Sequence, residues 1–149
     1  MREAIKLSVE NVNMGGGPFA AIIVKNNEII AKAANKVTIK NDPTAHAEVE
    51  AIRLASIKLD NFNLSGCEIY TSCEPCPMCL GAIYWARLDK LYFANTKEDA
   101  EHAGFDDSFI YKEIERPFSE RKLPTQKLLS KEALEAFTDW INKEDKTEY

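Results

Sequence analysis

Apolar positions change their period several times along this chain, and each change marks an element. Residues 2–13 carry Ile5, Val9 and Val12 at helical spacing, which predicts an amphipathic helix that the run Gly15-Gly16-Gly17 ends. Residues 19–25 are then mostly apolar, Asn26-Asn27 supplies turn chemistry, and residues 28–34 are largely apolar again, which predicts a β-hairpin. After Asp42, a predicted helix carries Val49, Ile52 and Leu59 on one side, with Ala51 and Ala55 small enough for close packing. Residues 61–66 read as a loop, 68–72 as a short strand and 90–94 as another, with a helix from Pro77 between those strands. Residues 97–103 form a helical turn or two, 108–115 a helix, and 116–124 a charged, exposed stretch. Ala133, Leu134, Phe137 and Ile141 place a last amphipathic helix over residues 131–143, before a tail at 144–149. Strands alternating with helices after residue 42 predict an α/β three-layer sandwich.

At 149 residues the chain is read as one domain, long enough to bury a substantial core. A hydrophobic content of 45% and a charged content of 29% describe an ordinary soluble protein. No apolar run approaches the ~20 residues of a membrane span and no signal peptide opens the sequence, so a cytoplasmic address is expected. The formal net charge of −5 is uneven: residues 97–149 hold 9 Lys/Arg against 14 Asp/Glu, which leaves residues 1–96 balanced. No basic patch stands out of the kind that neutralises phosphates, which weighs against a nucleic-acid substrate.

Three of the four cysteines lie within Cys73 to Cys79, a clustering suited to metal rather than to disulfides. Prolines bracket Cys76, and a proline favours the first helical position, which places Cys76 near the N-cap of a helix beginning at Pro77, with Cys79 in its first turn. Both sulfurs then sit at the positive end of a helix dipole, where thiolates are favoured. The third candidate ligand is His46, in Asp42-Pro43-Thr44-Ala45-His46-Ala47-Glu48. Asp42 or Thr44 is expected to cap that helix, with Pro43 in its first turn. On a helix, residues two apart point ~200° away from each other. His46 and Glu48 therefore serve one metal only if it lies off the helix end. Cysteine spacing alone leaves two sites open: a closed structural zinc site using Cys73 as fourth ligand, or an open catalytic one. His-x-Glu upstream favours the open site, because a closed one has no use for a proton carrier.

His46-Ala47-Glu48 followed by Pro75-Cys76-Pro77-Met78-Cys79 is the signature of zinc-dependent nucleobase deaminases. The chain resembles the cytidine deaminase-like superfamily, and within it the bacterial guanine deaminases. The likeness runs through Gly16-Gly17-Pro18-Phe19, Asn35, residues 41–48, residues 71–79, Gly81-Ala82-Ile83-Tyr84-Trp85-Ala86-Arg87, residues 103–111 with Phe105-Asp106-Asp107-Ser108, and the terminal Glu148-Tyr149. It implies a mixed five-stranded sheet with helices on both faces, and one zinc per subunit on His46, Cys76 and Cys79. It also implies Glu48 as proton carrier, Asp107 assisting proton transfer, and contacts to a free purine base from Phe19, Asn35, Ala47, Trp85, Asp107 and Tyr149. From the residues alone, Phe19 is a core phenylalanine, Asn35 a turn former, and Asp106-Asp107 a helix cap or solvated pair. The resemblance further implies a homodimer in which a segment of about residues 117–149 crosses to the other subunit. The runner-up activity is tRNA adenosine deamination, or deamination of another purine or pyrimidine on the same metal motif; the closed-site reading instead gives a structural zinc module that binds a partner.

Overall fold

Asn26 and Asn27 both adopt left-handed backbone, with φ of 50° and 65°, the conformation that a two-residue type I′ hairpin turn requires. They join Ala20–Lys25 (β1) to Glu28–Ala34 (β2) in an antiparallel pair, with a bulge between Ile23 and Val24. The computed structural model describes residues 1–149. The chain divides into two compact units, Met1–Ser108 and Phe109–Tyr149.

In the first unit, β1 also pairs antiparallel with Cys67–Cys73 (β3), and β3 pairs in parallel with Lys90–Asn95 (β4). The sheet is mixed, in the order β2-β1-β3-β4. It has four strands, not the five that the resemblance implies. Beyond β4, Thr96 closes a reciprocal capping box with Asp99 and starts the helix Lys97–His102, so the chain turns away from the sheet edge there. Residues 121–130 form neither helix nor strand, and Pro124 removes a ladder donor among them.

Ala20, Ala21, Ile22 and Ile23 are all buried in succession. Alternate residues of a strand face opposite sides, so both faces of the sheet are covered at β1. Ile23, Leu64 and Ile69 are fully buried, and burying such a side chain stabilises by roughly 1.5–3 kcal/mol. The helix Ala47–Leu59 meets this core through Ala47, Ala51 and Ala55, with Ile52 and Leu59 partly buried beside it. Small residues at that seam let the helix approach the sheet closely.

The first helix, Arg2–Asn13 (α1), has the predicted bounds, but its buried stripe is Ala4, Ser8 and Asn11. Ile5, Val9 and Val12 remain 43%, 59% and 51% exposed. Helical spacing identified an apolar stripe; the sheet meets the neighbouring stripe of smaller residues instead. A short helix, Val37–Lys40 (α2), was not anticipated, and it ends at Asn41 in left-handed conformation. The helix that carries His46 and Glu48 starts later than expected, at Ala47, and will be called α3. Asp42 caps nothing: its carboxylate accepts from the amide and hydroxyl of Thr44 at 2.8 and 2.7 Å, an Asx turn that holds the chain out of the helix.

The second unit opens within the helix Ser108–Glu115, whose bounds agree with the predicted ones. It holds a 3₁₀ turn at Phe118–Glu120 and a helix at Leu134–Asn142, three residues later than the pattern begins. Tyr149 is tied within this unit, its ring edge-on to Trp140 at 6.3 Å between centroids. No helix of the protein is long and apolar enough to cross a membrane.

Candidate active site

Two helix starts converge in the first unit. Cys76 is the N-cap of Pro77–Trp85 (α4), with extended backbone (φ −63°, ψ 167°) and proline at the first helical position. Cys79 lies in the first turn, as predicted. His46 is the N-cap of α3, also extended (φ −68°, ψ 153°). This removes the difficulty posed by an ideal helix. His46 stands outside the helical wheel, so its ring and the Glu48 carboxylate reach the same side of the helix end.

Nδ1 of His46 lies 3.5 Å from Cys76 Sγ and 3.4 Å from Cys79 Sγ. The three ligand atoms lie within 4.8 Å of one another. One imidazole nitrogen and two thiol sulfurs are the soft donors that zinc prefers, so this set fits the metal that the sequence implies. Cys73, the fourth ligand that a closed site needs, is not a member of the cluster: its thiol donates to the carbonyl of Thr96 at 3.4 Å.

The electrostatics separate the roles. Hydrogen bonding from Cys79, and then from His46, lowers the Cys76 thiol to about 4, so it is a thiolate at neutral pH. The same Cys76 contact raises the pKa of His46. Its bond to Cys76, with burial, pushes the Cys79 thiol up. Glu48 is 8% exposed, accepts from the Cys79 thiol at 3.4 Å, and is raised chiefly by burial. A raised carboxyl beside a metal cluster is suited to carrying a proton.

A cavity of about 490 Å³ opens onto this cluster, within the size range of small-molecule sites. Phe19, Asn35, Glu48 and Asp107 line it, together with His46 and Cys76. Burial raises the Asp107 carboxyl. Its neighbour Asp106 makes an Asx turn just before the helix, accepting from the amide of Ser108 at 2.8 Å. Phe105, not singled out from the sequence, also lines the cavity and meets Phe19 edge-on at 4.9 Å between centroids. Only its place beside Asp106 could have marked it. Of the remaining candidates, Ala47 is fully buried and outside the cavity lining. Trp85, at the end of α4, is 68% exposed and also outside it. Tyr149 belongs to the second unit.

The family model of the cytidine and deoxycytidylate deaminase zinc-binding region matches residues 1–95. Guanine deaminase of Bacillus subtilis (strain 168) is 54% identical over 100% of this chain and 96% of its own. A crystal structure of the Bacillus subtilis enzyme superposes with a TM-score of 0.97, covering 99% of this chain and 95% of that one. The tRNA-specific adenosine deaminase of Aquifex aeolicus (strain VF5) is 34% identical over 96% of this chain and 92% of its own. A solved complex with 2,6-diaminopurine is 38% identical, with a TM-score of 0.67, over 70% of this chain and 59% of that one.

Proposed function

The chain belongs to the cytidine and deoxycytidylate deaminase family, and from that premise we propose that it hydrolyses the free base guanine to xanthine and ammonia. The observation that carries the proposal is the junction of three donors with a buried carboxyl: His46, Cys76 and Cys79 converge, and Glu48 touches that cluster at the wall of one cavity. His46, Cys76 and Cys79 would hold zinc there, one per subunit, and it would supply Lewis acidity that lowers the pKa of a water to about 7. Glu48 takes the proton as the water oxygen adds to the amino-bearing carbon of the purine. It returns that proton to the nitrogen, which leaves as ammonia. Phe19, with Phe105 against it, faces the base as an apolar wall, and Asn35 and Asp107 offer polar atoms to its edge.

The Bacillus subtilis relative favours guanine, and the bound 2,6-diaminopurine of the other relative favours a purine with an exocyclic amine. The Aquifex relative favours a second reading, adenosine deamination in tRNA, against which the acidic balance of residues 97–149 weighs. Ammonia release measured across free purines and pyrimidines and an RNA hairpin, with zinc determined on the same samples, separates the two. Release from guanine supports the proposal; release from the hairpin alone sinks it.

The reading extends to assembly and setting. The protein acts in the cytoplasm, in purine breakdown, as a homodimer of three-layer subunits. In that dimer residues of about 117–149 are exchanged, and Tyr149 covers the base bound by the other subunit, since exchange of a terminal element is a low-cost route to a dimer. Trp85 and Ala47 belong to the substrate surroundings in this assembly.

A further inference from the structure

Asn11 sits in the last turn of α1 and is 2% exposed. Its Nδ2 donates to two carbonyls, that of Gly17 at 2.7 Å and that of Asn35 at 2.9 Å. Those carbonyls belong to two adjoining stretches of the cavity lining. Gly17 lies in the connector that follows α1, and Asn35 directly follows β2. The neighbouring glycines are shaped to this arrangement. A Cβ on Gly16 would lie 2.7 Å from Asn11 Cγ and 2.8 Å from its Oδ1, a clash with the carboxamide itself. A Cβ on Gly17 would lie 3.3 Å from Asn35 Oδ1 and 3.4 Å from Phe19 Cδ2. Asn35 Oδ1 in turn accepts from the amide of Val37 at 3.2 Å, which starts α2 beside the cavity.

We propose that Asn11 is a positioning residue for the base, its carboxamide joining the glycine connector to Asn35 and fixing where both stand in the cavity wall. A planar NH₂ group presents two donors at fixed angles, and the two carbonyls take both. A serine offers one donor and an aspartate none, so no other side chain of that size joins the same pair. Without Asn11 the buried carbonyl of Asn35 loses this donor, whereas that of Gly17 keeps the Phe19 amide at 2.8 Å, so what is lost is the tie between the connector and Asn35. Asn11 touches no substrate in this arrangement; it acts through Asn35 and Gly17. The proposal rests on the preceding reading that this cavity takes a purine.

The test uses full-length, zinc-loaded protein bearing Asn11→Asp or Asn11→Ala. It reads guanine kinetics, zinc content and hydrogen exchange of the Val37 amide. The KM for guanine is expected to rise about tenfold or more, since about 1.4 kcal/mol is one decade, while kcat stays within about threefold and zinc is retained. Gly16→Ala, which displaces the carboxamide from the other side, is expected to raise KM likewise. Combined with Asn11→Ala it should add nothing further, because the methyl then enters vacated space. Should the Asn11 variants fail to fold, Gly16→Ala carries the same measurements. An unaltered KM in an active, zinc-loaded variant overturns the proposal, whatever its melting temperature does. If the unsubstituted protein does not turn guanine over, the purine reading has failed separately, and Val37 decides: faster exchange in Asn11→Ala supports the joint, and unchanged exchange removes it.

Discussion

The Cys79 thiol donates to the Glu48 carboxylate at 3.4 Å, across 31 positions of sequence. The contact puts the buried carboxyl at the edge of the His46, Cys76 and Cys79 cluster without making it a member. In the proposed reaction this keeps the proton carrier and the ligand set adjacent and chemically distinct, as hydrolytic deamination asks of them.

Glu48→Gln is expected to retain zinc and lose most activity. The amide keeps the shape of the side chain but accepts no proton, and general acid–base groups typically contribute 10²–10⁴-fold. Steady-state turnover beside metal analysis checks this; near-normal kcat in a zinc-loaded variant removes Glu48 from the role.

Asp107→Asn should lower kcat/KM for guanine by about 10–100-fold: the amide keeps one acceptor but loses the charge and turns the second into an NH₂ donor, a mismatch with an N–H of the base of ~1–3 kcal/mol. Stability should change by less than about 0.5 kcal/mol, because the amide of Ser108 is held by Asp106. Denaturant unfolding and guanine kinetics on the same preparation make the comparison. Unaltered kinetics would return Asp107 to an ordinary loop position.

Glu50 supplies a pH dependence of stability. Its side chain is 7% exposed and accepts from Lys40 Nζ at 2.6 Å and Arg53 at 3.2 Å. The bond to Lys40 is the main cause that lowers its pKa from the ordinary carboxylate range. A depressed folded pKa means stability that is present above the unfolded value of ~4.3 and is lost as pH falls through the folded one. Glu50→Gln should therefore cost ~1–2 kcal/mol at pH 7, held down by the partial exposure of both cations. The deficit should shrink as both proteins are taken to about pH 3. Reading the difference between the two proteins at each pH cancels metal release common to both. A deficit that does not change with pH contradicts the assignment.

Removing residues 146–149 is expected to raise the KM for guanine or lower kcat while zinc stays bound, if Tyr149 covers the base. Mixing the truncated protein with Glu48→Gln subunits should then restore part of the activity, since one site of each mixed dimer has both parts intact. Full activity after truncation disposes of the lid. Absence of rescue despite subunit exchange places the tail on its own subunit.

What the sequence determined by itself is local. Asn26-Asn27 dictates the hairpin because left-handed backbone is available to asparagine within two residues. Cys76-Pro77 dictates a helix start, and the Cys-x-x-Cys spacing inside it delivers two sulfurs to one end. The donors of the candidate metal cluster and the proton carrier proposed beside it were read from such short-range rules, joined by the chemistry that N and S ligands share.

The tertiary structure decided what depends on which surfaces meet. The pattern of α1 offers two adjacent stripes, and the sheet took Ala4, Ser8 and Asn11 over Ile5, Val9 and Val12, because small residues allow close approach and Asn11 finds two acceptors there. Nothing local could show that Phe105 meets Phe19 from 86 positions away, or that Glu50 is buried between Lys40 and Arg53. The sheet's ending at four strands is of the same kind, since an edge strand forms only where a partner arrives to share its hydrogen bonds. Side-chain period reports which faces are apolar; only the assembled chain determines which of them are covered, and by what.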